Sequence, residues 1–289
     1  MEKILVLGAA GMAGHVIYTY LKELGKYNVT GTTNVREMEG VRLKMNIFNT
    51  EEVEDIIVSE KPDIIINCIG MLIRSSKQHP DQTIYGNAYF PHLLKKICER
   101  NSIKLIHIST DCVFSGKTGR YSEYSFKDAT DIYGHSKSLG EIIDENNITI
   151  RTSIIGPEIK QQGEGLFHWF MQQNNVVNGY KSNIWSGVTT LELAKFIDWV
   201  IENPLTGLVH LTNNQAISKY DLLQIFNDVF EKGIKITDEK DYVCDKSFIN
   251  SKPEVTYSVA SYQEMLKEQK EFMLIHKSLY EKNYINGAI

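Results

Sequence analysis

A glycine-rich loop near the start of the chain constrains the fold more than any other sequence feature. Residues 3–7 form a short apolar run typical of a buried strand, and an amphipathic helical pattern follows the loop. Between them, Gly8 suits a tight turn, Gly11 lets the backbone approach a pyrophosphate, and Gly14 lets the helix pack closely on the strand. The free amides at the helix start, from Met12, would face the phosphates. The pattern therefore predicts a dinucleotide-binding strand–loop–helix unit.

Strand-like and helix-like segments then alternate along the first 155 residues. Further strands are predicted at 27–33, 41–47, 63–68, 103–109 and 148–155, and helices at 51–60 and 87–99. Asn87 is expected to cap the second of these helices. Continuous apolar runs such as 63–68 are typical of parallel strands buried on both faces. The alternation predicts an α/β fold with a doubly wound parallel sheet, and a dinucleotide-binding domain at residues 1–155.

The regular alternation ends beyond residue 155. Helices are predicted at 166–173 and 190–202 and from Ser218 onward, with a loop at 174–187 and a short strand at 207–211. This change predicts a smaller second lobe, made mainly of residues 156–289, that binds the substrate.

Composition and charge exclude several classes of protein. The net charge of −5 argues against a nucleic-acid partner, which usually requires a basic surface. We expect no membrane partner and a cytoplasmic protein, because the chain has neither a signal-like start nor an apolar run of membrane-spanning length. The four cysteines lack metal-ligand spacing, so free thiols in a reducing compartment and no metal site are expected.

The candidate catalytic residues follow the fifth predicted strand. Tyr133 and Lys137 are four residues apart on a helix-like segment, so both lie on one face. A lysine there could lower the pKa of the phenol, which could then exchange the proton that accompanies hydride transfer to a carbonyl. The same spacing recurs at Tyr18/Lys22 and Tyr242/Lys246, so the spacing alone decides little.

The sequence before Tyr133 and Lys137 favours this pair over the other two. Ser109, Thr110 and Asp111 stand at the end of the preceding strand, where ligands of open α/β sheets bind. A serine hydrolase is disfavoured, because the chain has no G-x-S-x-G turn around Ser109 or elsewhere.

These residues also carry a family resemblance. The matching positions are Ser109-Thr110-Asp111, Val113-Phe114, Gly116, Tyr121, Glu123, Tyr133-Gly134, Ser136-Lys137 and Gly140-Glu141. The chain thereby resembles the extended short-chain dehydrogenase/reductases, and among them the dTDP-4-dehydrorhamnose reductases, over roughly residues 1–160. The resemblance implies reduction of a nucleotide-linked 4-keto-6-deoxy sugar by NAD(P)H, in the synthesis of surface polysaccharide. It also implies that Tyr133 donates the proton, Lys137 binds the nicotinamide ribose, and Thr110 orients the carbonyl.

The cofactor preference is predicted from the second strand. No acid stands at its tip near Thr33, where an NAD-preferring site would bind the ribose 2′-hydroxyl, and Arg36 could meet a 2′-phosphate or lie free in solvent. NADPH is therefore expected to be accepted at least as well as NADH. Asn46 stands where relatives often carry an Asp near the adenine. The remaining expected cofactor contacts are Thr33, Cys68, Ile69, Gly70, Ser109 and Tyr133.

The substrate side is predicted from the resemblance. Asp111 and Cys112 follow Thr110, and relatives often have Arg-Pro where this chain has Lys252-Pro253, so Lys252 is expected at a phosphate. Trp185 lies in a segment that closes over the sugar in relatives, so it is expected to contact the sugar, the alternative being a core anchor. Relatives also interleave their lobes, so residues 184–212 are expected to rejoin the first domain.

Three alternatives stay open. Cys112 replaces the usual Tyr of the rhamnose enzymes, so a UDP-linked 2-acetamido-4-keto-6-deoxyhexose competes as substrate. A 4,6-dehydratase is disfavoured, because Cys112 also replaces the second acid of its Thr-Asp-Glu motif. A non-catalytic, NADP-binding regulatory subunit is the third alternative. The stereochemistry of the product and a homodimeric state are left open as well.

Overall fold

The computed structural model describes residues 1–284, and its strands and helices alternate over the first half of the chain. The strands are β1 (Lys3–Leu7), β2 (Asn28–Thr33), β3 (Leu43–Lys44), β4 (Ile64–Asn67), β5 (Lys104–Thr110), β6 (Ile148–Thr152), β7 (Ile154–Ile155), β8 (Val177–Tyr180), β9 (Asn183–Trp185), β10 (Val188–Thr189), β11 (Gly207–His210), β12 (Ile217–Ser218), β13 (Ile236–Glu239) and β14 (Cys244–Asp245). The helices are α1 (Met12–Glu23), α2 (Thr50–Glu60), α3 (Ile73–Gln78), α4 (Pro80–Ile84), α5 (Phe90–Asn101), α6 (Ile132–Leu139), α7 (Leu166–Met171), α8 (Thr190–Glu202), α9 (Lys219–Val229), α10 (Tyr262–Ile275) and α11 (Lys277–Tyr284).

Seven of these strands form one parallel sheet in the order β11-β6-β5-β4-β1-β2-β3. The chain moves outward from β1 to β3 and then returns to the other side of β1 with β4. Such a reversal opens a crevice at the carboxyl ends of β1 and β4, where doubly wound sheets bind ligands. The predicted doubly wound fold is confirmed.

Side-chain alternation along the strands builds a core on each face of the sheet. β1 contributes Ile4 and Val6 to the core shared with α1 and α8, and Leu5 and Leu7 to the core shared with α2 and α5. All four side chains are buried, as expected for a strand covered by helices on both faces.

Outside the main sheet, residues 1–284 form three small sheets, ordered β12-β9-β14, β13-β8 and β10-β7. The loop predicted at 174–187 is wrong, because β8 and β9 lie within it. Their partners β13 and β14 come from residues 236–245, far along the chain, so local sequence pattern could not indicate the pairing. The strand predicted at 148–155 is also divided at Ser153, where β7 leaves the main sheet to pair with β10.

The expected capping role of Asn87 is wrong. Helix α4, a π-helical turn at Tyr85–Tyr89 and α5 follow one another without a break, so Asn87 lies inside the helical segment and is buried. Its side chain accepts a hydrogen bond from the Met71 amide (2.8 Å) and donates to the Met71 carbonyl (2.9 Å) and to Ser136 Oγ (3.2 Å). Asn87 therefore ties the segment after β4 to α6.

Two further structural findings bear on function. Among the helices of residues 1–284, none combines the length and apolar character needed to span a bilayer. The same part of the chain contains no cluster of three or more His, Cys, Asp or Glu side chains suited to a metal ion.

Candidate active site

A cavity of about 540 Å³ opens at the carboxyl ends of the central strands. The predicted site residues that line it are Gly11, Met12, Arg36, Cys68, Ile69, Gly70, Ser109, Thr110, Asp111, Cys112, Tyr133 and Lys137. The predicted residues outside its lining are Gly8, Gly14, Thr33, Asn46, Trp185 and Lys252. The structure thus brings the glycine loop and the Tyr133 helix together on one cleft, although they are more than a hundred residues apart in sequence.

The glycine loop forms one wall of this cleft. Gly8 has a φ of +77°, which favours glycine, and its carbonyl accepts a hydrogen bond from the Gly11 amide (2.9 Å). A Cβ on Gly14 would lie 2.1 Å from the Gly8 carbonyl oxygen, so only glycine permits this packing. No side chain caps α1 at Gly11, so its first amides are available to an anion. The loop therefore fits a dinucleotide pyrophosphate.

The tip of β2 lies beside this loop. Arg36 is exposed and donates from Nη1 to the Ala10 carbonyl (3.2 Å), which holds the guanidinium over the glycine loop. Thr33 is buried, and its Oγ1 has no hydrogen-bond partner among residues 1–284. Asn46 is exposed, and its side chain accepts from the Phe48 amide (3.1 Å). The nearby acid Glu37 lies 3.7 Å from Lys44 Nζ.

Helix α6 forms the opposite wall. The Asp131 side chain caps it by accepting from the Gly134 amide (2.9 Å). A Cβ on Gly134 would lie 2.3 Å from the Cys112 carbonyl oxygen, so α6 packs directly on the turn after β5. This close approach places Tyr133 next to Thr110, whose Oγ1 donates to Asp111 Oδ1 (3.0 Å).

Lys137 is buried, and it lies one turn after Tyr133 in α6. Its Nζ donates to the Ile108 carbonyl (2.7 Å), which fixes the side chain against β5. Burial lowers the pKa of Lys137 to about 8, although Glu141 opposes this shift.

The expected lowering of the Tyr133 pKa does not occur in the structure. Burial raises the pKa of Tyr133 and Cys112 adds to the increase, while Thr110 opposes it. The Lys137 ammonium is instead bound to a backbone carbonyl. The phenol is therefore protonated at neutral pH, which is the form that a proton donor needs.

The other two Tyr/Lys pairs lie outside the cleft lining. Tyr18 and Lys22 bond to each other (3.1 Å), and the Tyr18 hydroxyl donates to the Gly40 carbonyl. Tyr242 is largely exposed. Only the pair at Tyr133 lies with Thr110 on the cavity wall.

Two of the expected substrate contacts lie elsewhere. Trp185 is in β9 and is only 3% exposed, and its Nε1 donates to Ser153 Oγ (2.8 Å). Its ring also packs on Tyr262 at a centroid distance of 5.7 Å. The buried indole therefore fits the alternative that Trp185 anchors its segment in the core. Almost none of its surface could contact a sugar. Lys252 Nζ lies 3.6 Å from a carboxylate oxygen of Glu254.

We expect Trp185→Phe to destabilise the fold by about 1–3 kcal/mol, because the Ser153 hydroxyl loses its donor and the packing loosens. Thermal and urea unfolding would measure the loss. Trp169→Phe is the matched control, since that indole is 42% exposed on α7 and should tolerate the change. An unchanged unfolding midpoint with a raised KM for the sugar would instead assign Trp185 to ligand binding.

Sequence analysis missed a buried ion cluster under the site. The Glu141 carboxylate accepts from Arg151 Nε (2.8 Å) and Nη2 (2.7 Å), from Ser109 Oγ (2.8 Å) and from Lys127 Nζ (3.1 Å). Arg151 Nη1 also lies 2.7 Å from His210 Nε2, and burial together with Arg151 lowers the pKa of His210 to about 4. The sequence signals were Ser109 and Glu141, which both belong to the residues of the family resemblance.

Comparison with known proteins agrees with this architecture. The spore coat polysaccharide biosynthesis protein SpsK of Bacillus subtilis (strain 168) is 26% identical over 269 residues, covering 91% of this chain and 90% of that protein. The dTDP-4-dehydrorhamnose reductase of Aggregatibacter actinomycetemcomitans is 24% identical over 241 residues and 79% of each chain. Among solved structures, the dTDP-4-dehydrorhamnose reductase of Bacillus anthracis str. Ames in complex with NADP has the same fold. It superposes with a TM-score of 0.81 at 20% identity, covering 94% of this chain and 99% of that one.

The family described as RmlD substrate binding domain matches residues 1–271, which is nearly the whole chain. The match includes the glycine loop, the Tyr133 helix and most of the second lobe. The chain therefore belongs to the RmlD substrate binding domain family.

Proposed function

We propose that this protein is an NADPH-dependent reductase of a nucleotide-linked 4-keto-6-deoxy sugar. The observation that carries the proposal is the meeting of Thr110, Tyr133 and Lys137 on one wall of a cleft whose other wall is the glycine loop. The names of relatives, a dTDP-4-dehydrorhamnose reductase and a spore coat polysaccharide protein, support a nucleotide-sugar substrate.

Different residues of the chain have different roles in this reaction. When bound, NAD(P)H would supply the hydride for the ketone carbon. The Thr110 hydroxyl orients the carbonyl, and Tyr133 donates its phenolic proton to the carbonyl oxygen, so that the ketone becomes an alcohol. Lys137, held by the Ile108 carbonyl, provides a fixed ammonium that can bind the cofactor ribose. Gly11, Met12 and the loop amides bind the pyrophosphate.

Cofactor choice should depend on Arg36. We expect Arg36→Ala to weaken NADPH binding by about 1.5–3 kcal/mol, the value of a charge-assisted hydrogen bond, and to change NADH binding little. Fluorescence titration with each cofactor would measure both affinities. Arg42→Ala is the control, because this exposed arginine directly precedes β3, which pairs with the end of β2, and it lies outside the cleft lining. Equal losses for NADPH and NADH would assign Arg36 to loop support alone.

A side-by-side assay tests the reaction. Purified protein would be given dTDP- and UDP-linked 4-keto-6-deoxy sugars with NADPH, and cofactor oxidation and sugar products would be followed. We expect reduction of at least one of them. The UDP-linked 2-acetamido sugar is the second candidate, because Cys112 lines the cleft where the rhamnose enzymes usually have Tyr. NADPH binding without turnover of any such sugar would favour a regulatory subunit.

A further inference from the structure

A buried histidine links the glycine loop to helix α11. His15 lies near the start of α1 and is fully buried. Its Nδ1 lies 2.8 Å from the Gly11 carbonyl oxygen, and its Nε2 lies 3.0 Å from the hydroxyl oxygen of Tyr280 in α11. Because a carbonyl can only accept, Nδ1 carries the hydrogen, and Nε2 accepts from the Tyr280 hydroxyl. Burial lowers the pKa of His15 to about 4, so the ring is neutral at neutral pH, as this pattern requires.

This hydrogen-bonded pair acts on the peptide group that begins α1. The Gly11 carbonyl accepts from the His15 backbone amide (3.1 Å) as well as from His15 Nδ1. A trans peptide group is planar and its N–H points opposite to its C=O, so holding the Gly11 carbonyl also holds the Met12 amide. That amide is among the first four of α1, which have no partner inside the helix. Gly11 and Met12 both line the cleft, so His15 and Tyr280 fix the direction of an amide that faces a bound anion.

A second contact of α11 reaches the same residue from the other side of the cleft. The Tyr284 hydroxyl accepts from the Glu158 amide (2.8 Å), and the Glu158 carboxylate accepts from the Gly165 amide (2.7 Å). Glu158 and Gly165 also line the cleft. A Cβ on Gly165 would lie 2.5 Å from Met12 Cε, so this loop packs directly on the Met12 side chain. Helix α11 therefore supports both the amide and the side chain of Met12.

We propose that His15 and Tyr280 are positioning residues for the dinucleotide, through which α11 holds the glycine loop in its binding conformation. The proposal rests on the proposed function in one respect, that the glycine loop binds the pyrophosphate of NADP(H). Helix α11 follows residue 271, the last residue of the family match, so the family assignment gives it no role. Amides that are already oriented bind an anion without the cost of ordering them. A purely structural role of the Tyr280 hydroxyl predicts lost stability without lost affinity.

Calorimetric titration of two ligands into the full chain distinguishes these roles. NADP⁺ carries the pyrophosphate, whereas adenosine 2′-monophosphate lacks it. We expect Tyr280→Phe to weaken NADP⁺ binding about 3- to 10-fold, the value of one neutral hydrogen bond, and to change adenosine 2′-monophosphate binding by less than about twofold. His15→Asn retains an N–H near the position of Nδ1, so it should lose less NADP⁺ affinity than His15→Leu.

Tyr27→Phe is the matched control. Tyr27 is also buried, and its hydroxyl donates to Asp198 Oδ1 (2.7 Å), outside the cleft lining. Its loss should lower the unfolding midpoint at least as much as Tyr280→Phe does, because the acceptor is a carboxylate. NADP⁺ affinity should not change in Tyr27→Phe, so the comparison separates lost stability from lost positioning.

Three results would overturn the positioning role. These are wild-type NADP⁺ affinity in Tyr280→Phe, equal losses for the two ligands, and an equal loss of NADP⁺ affinity in Tyr27→Phe. A wild type that binds NADP⁺ but reduces no 4-keto sugar would contradict the proposed reaction, while a dependence of NADP⁺ affinity on Tyr280 would still support the role of α11. A wild type that binds no NADP⁺ would overturn both proposals.

Discussion

Tyr133→Phe should lower kcat by about 10²- to 10⁴-fold, the usual contribution of a positioned proton donor. The substitution removes one hydroxyl and leaves the ring that packs beside Cys112 and Thr110 at the start of α6. Burial raises the pKa of this phenol, so the wild-type group carries the proton that it donates at neutral pH. Steady-state rates with NADPH and the best sugar substrate would measure the effect.

Binding measurements make this result specific. NADPH affinity should fall far less than kcat in Tyr133→Phe, and the unfolding midpoint should change little, since Lys137, the glycine loop and the Tyr133 ring all remain. Tyr242→Phe is the matched control, because that tyrosine also precedes a lysine by four residues but is largely exposed outside the cleft lining. Wild-type turnover in Tyr133→Phe would end the assignment of Tyr133 as proton donor.

The sequence predicted the parts of the fold that depend on local pattern. β1, the glycine loop and α1 are contiguous. Each glycine of the loop is required by a steric constraint that arises within residues 1–14. The strands at 64–67 and 104–110 are also recognisable, because burial on both faces favours apolar residues in their centres, Ile64–Ile66 in β4 and Leu105, Ile106 and Ile108 in β5. Tyr133 and Thr110 could be placed together since the end of β5 and the following helix are close in sequence.

The missed features all depend on partners that are distant in sequence. Asn87 resembles a helix cap, but its amide bonds to Met71 and Ser136 decide its position. Trp185 lies in a polar segment, yet β12 and β14 convert that segment into a central strand and bury the ring. The raised pKa of Tyr133 has the same origin, because burial is a property of the packed fold and not of the Tyr-x-x-x-Lys spacing.

The ion cluster beneath the active site should be the most sensitive point for stability. Glu141 is fully buried at its side chain, and Arg151 is 1% exposed. Glu141→Gln would leave the Arg151 guanidinium without its anion and place an amide N–H against an arginine N–H. Breaking a buried pair in this way typically costs about 3–5 kcal/mol. We expect a loss of this size in urea unfolding.

The pH dependence of folding stability should follow from the Glu141–Arg151 pair. Burial acts to raise the pKa of Glu141, but Arg151 and Lys127 outweigh it, so the pKa is below its ordinary value of 4.5. The ionised carboxylate therefore stabilises the fold fully above pH 4.5, and this stabilisation is lost as the pH falls through the lowered value. Glu141→Gln should remove this contribution, so its urea midpoint should depend less on pH in the acidic range than that of the wild type.

The loss of stability in Glu141→Gln should come from the unpaired charge of Arg151 and not from the loss of a contact alone. The double variant Glu141→Gln/Arg151→Met removes both charges, so it should be more stable than the sum of its single substitutions predicts. Arg100→Met is the surface control, since Arg100 and Glu54 form a pair of similar length (2.9 Å) at 59% and 45% exposure and should contribute under about 1 kcal/mol. If the free energy of unfolding of Glu141→Gln differs from that of the wild type by under about 1 kcal/mol, the cluster has no stabilising role. Ser109 donates to Glu141 and adjoins Thr110, so the cluster also supports the strand end that carries the proposed reaction.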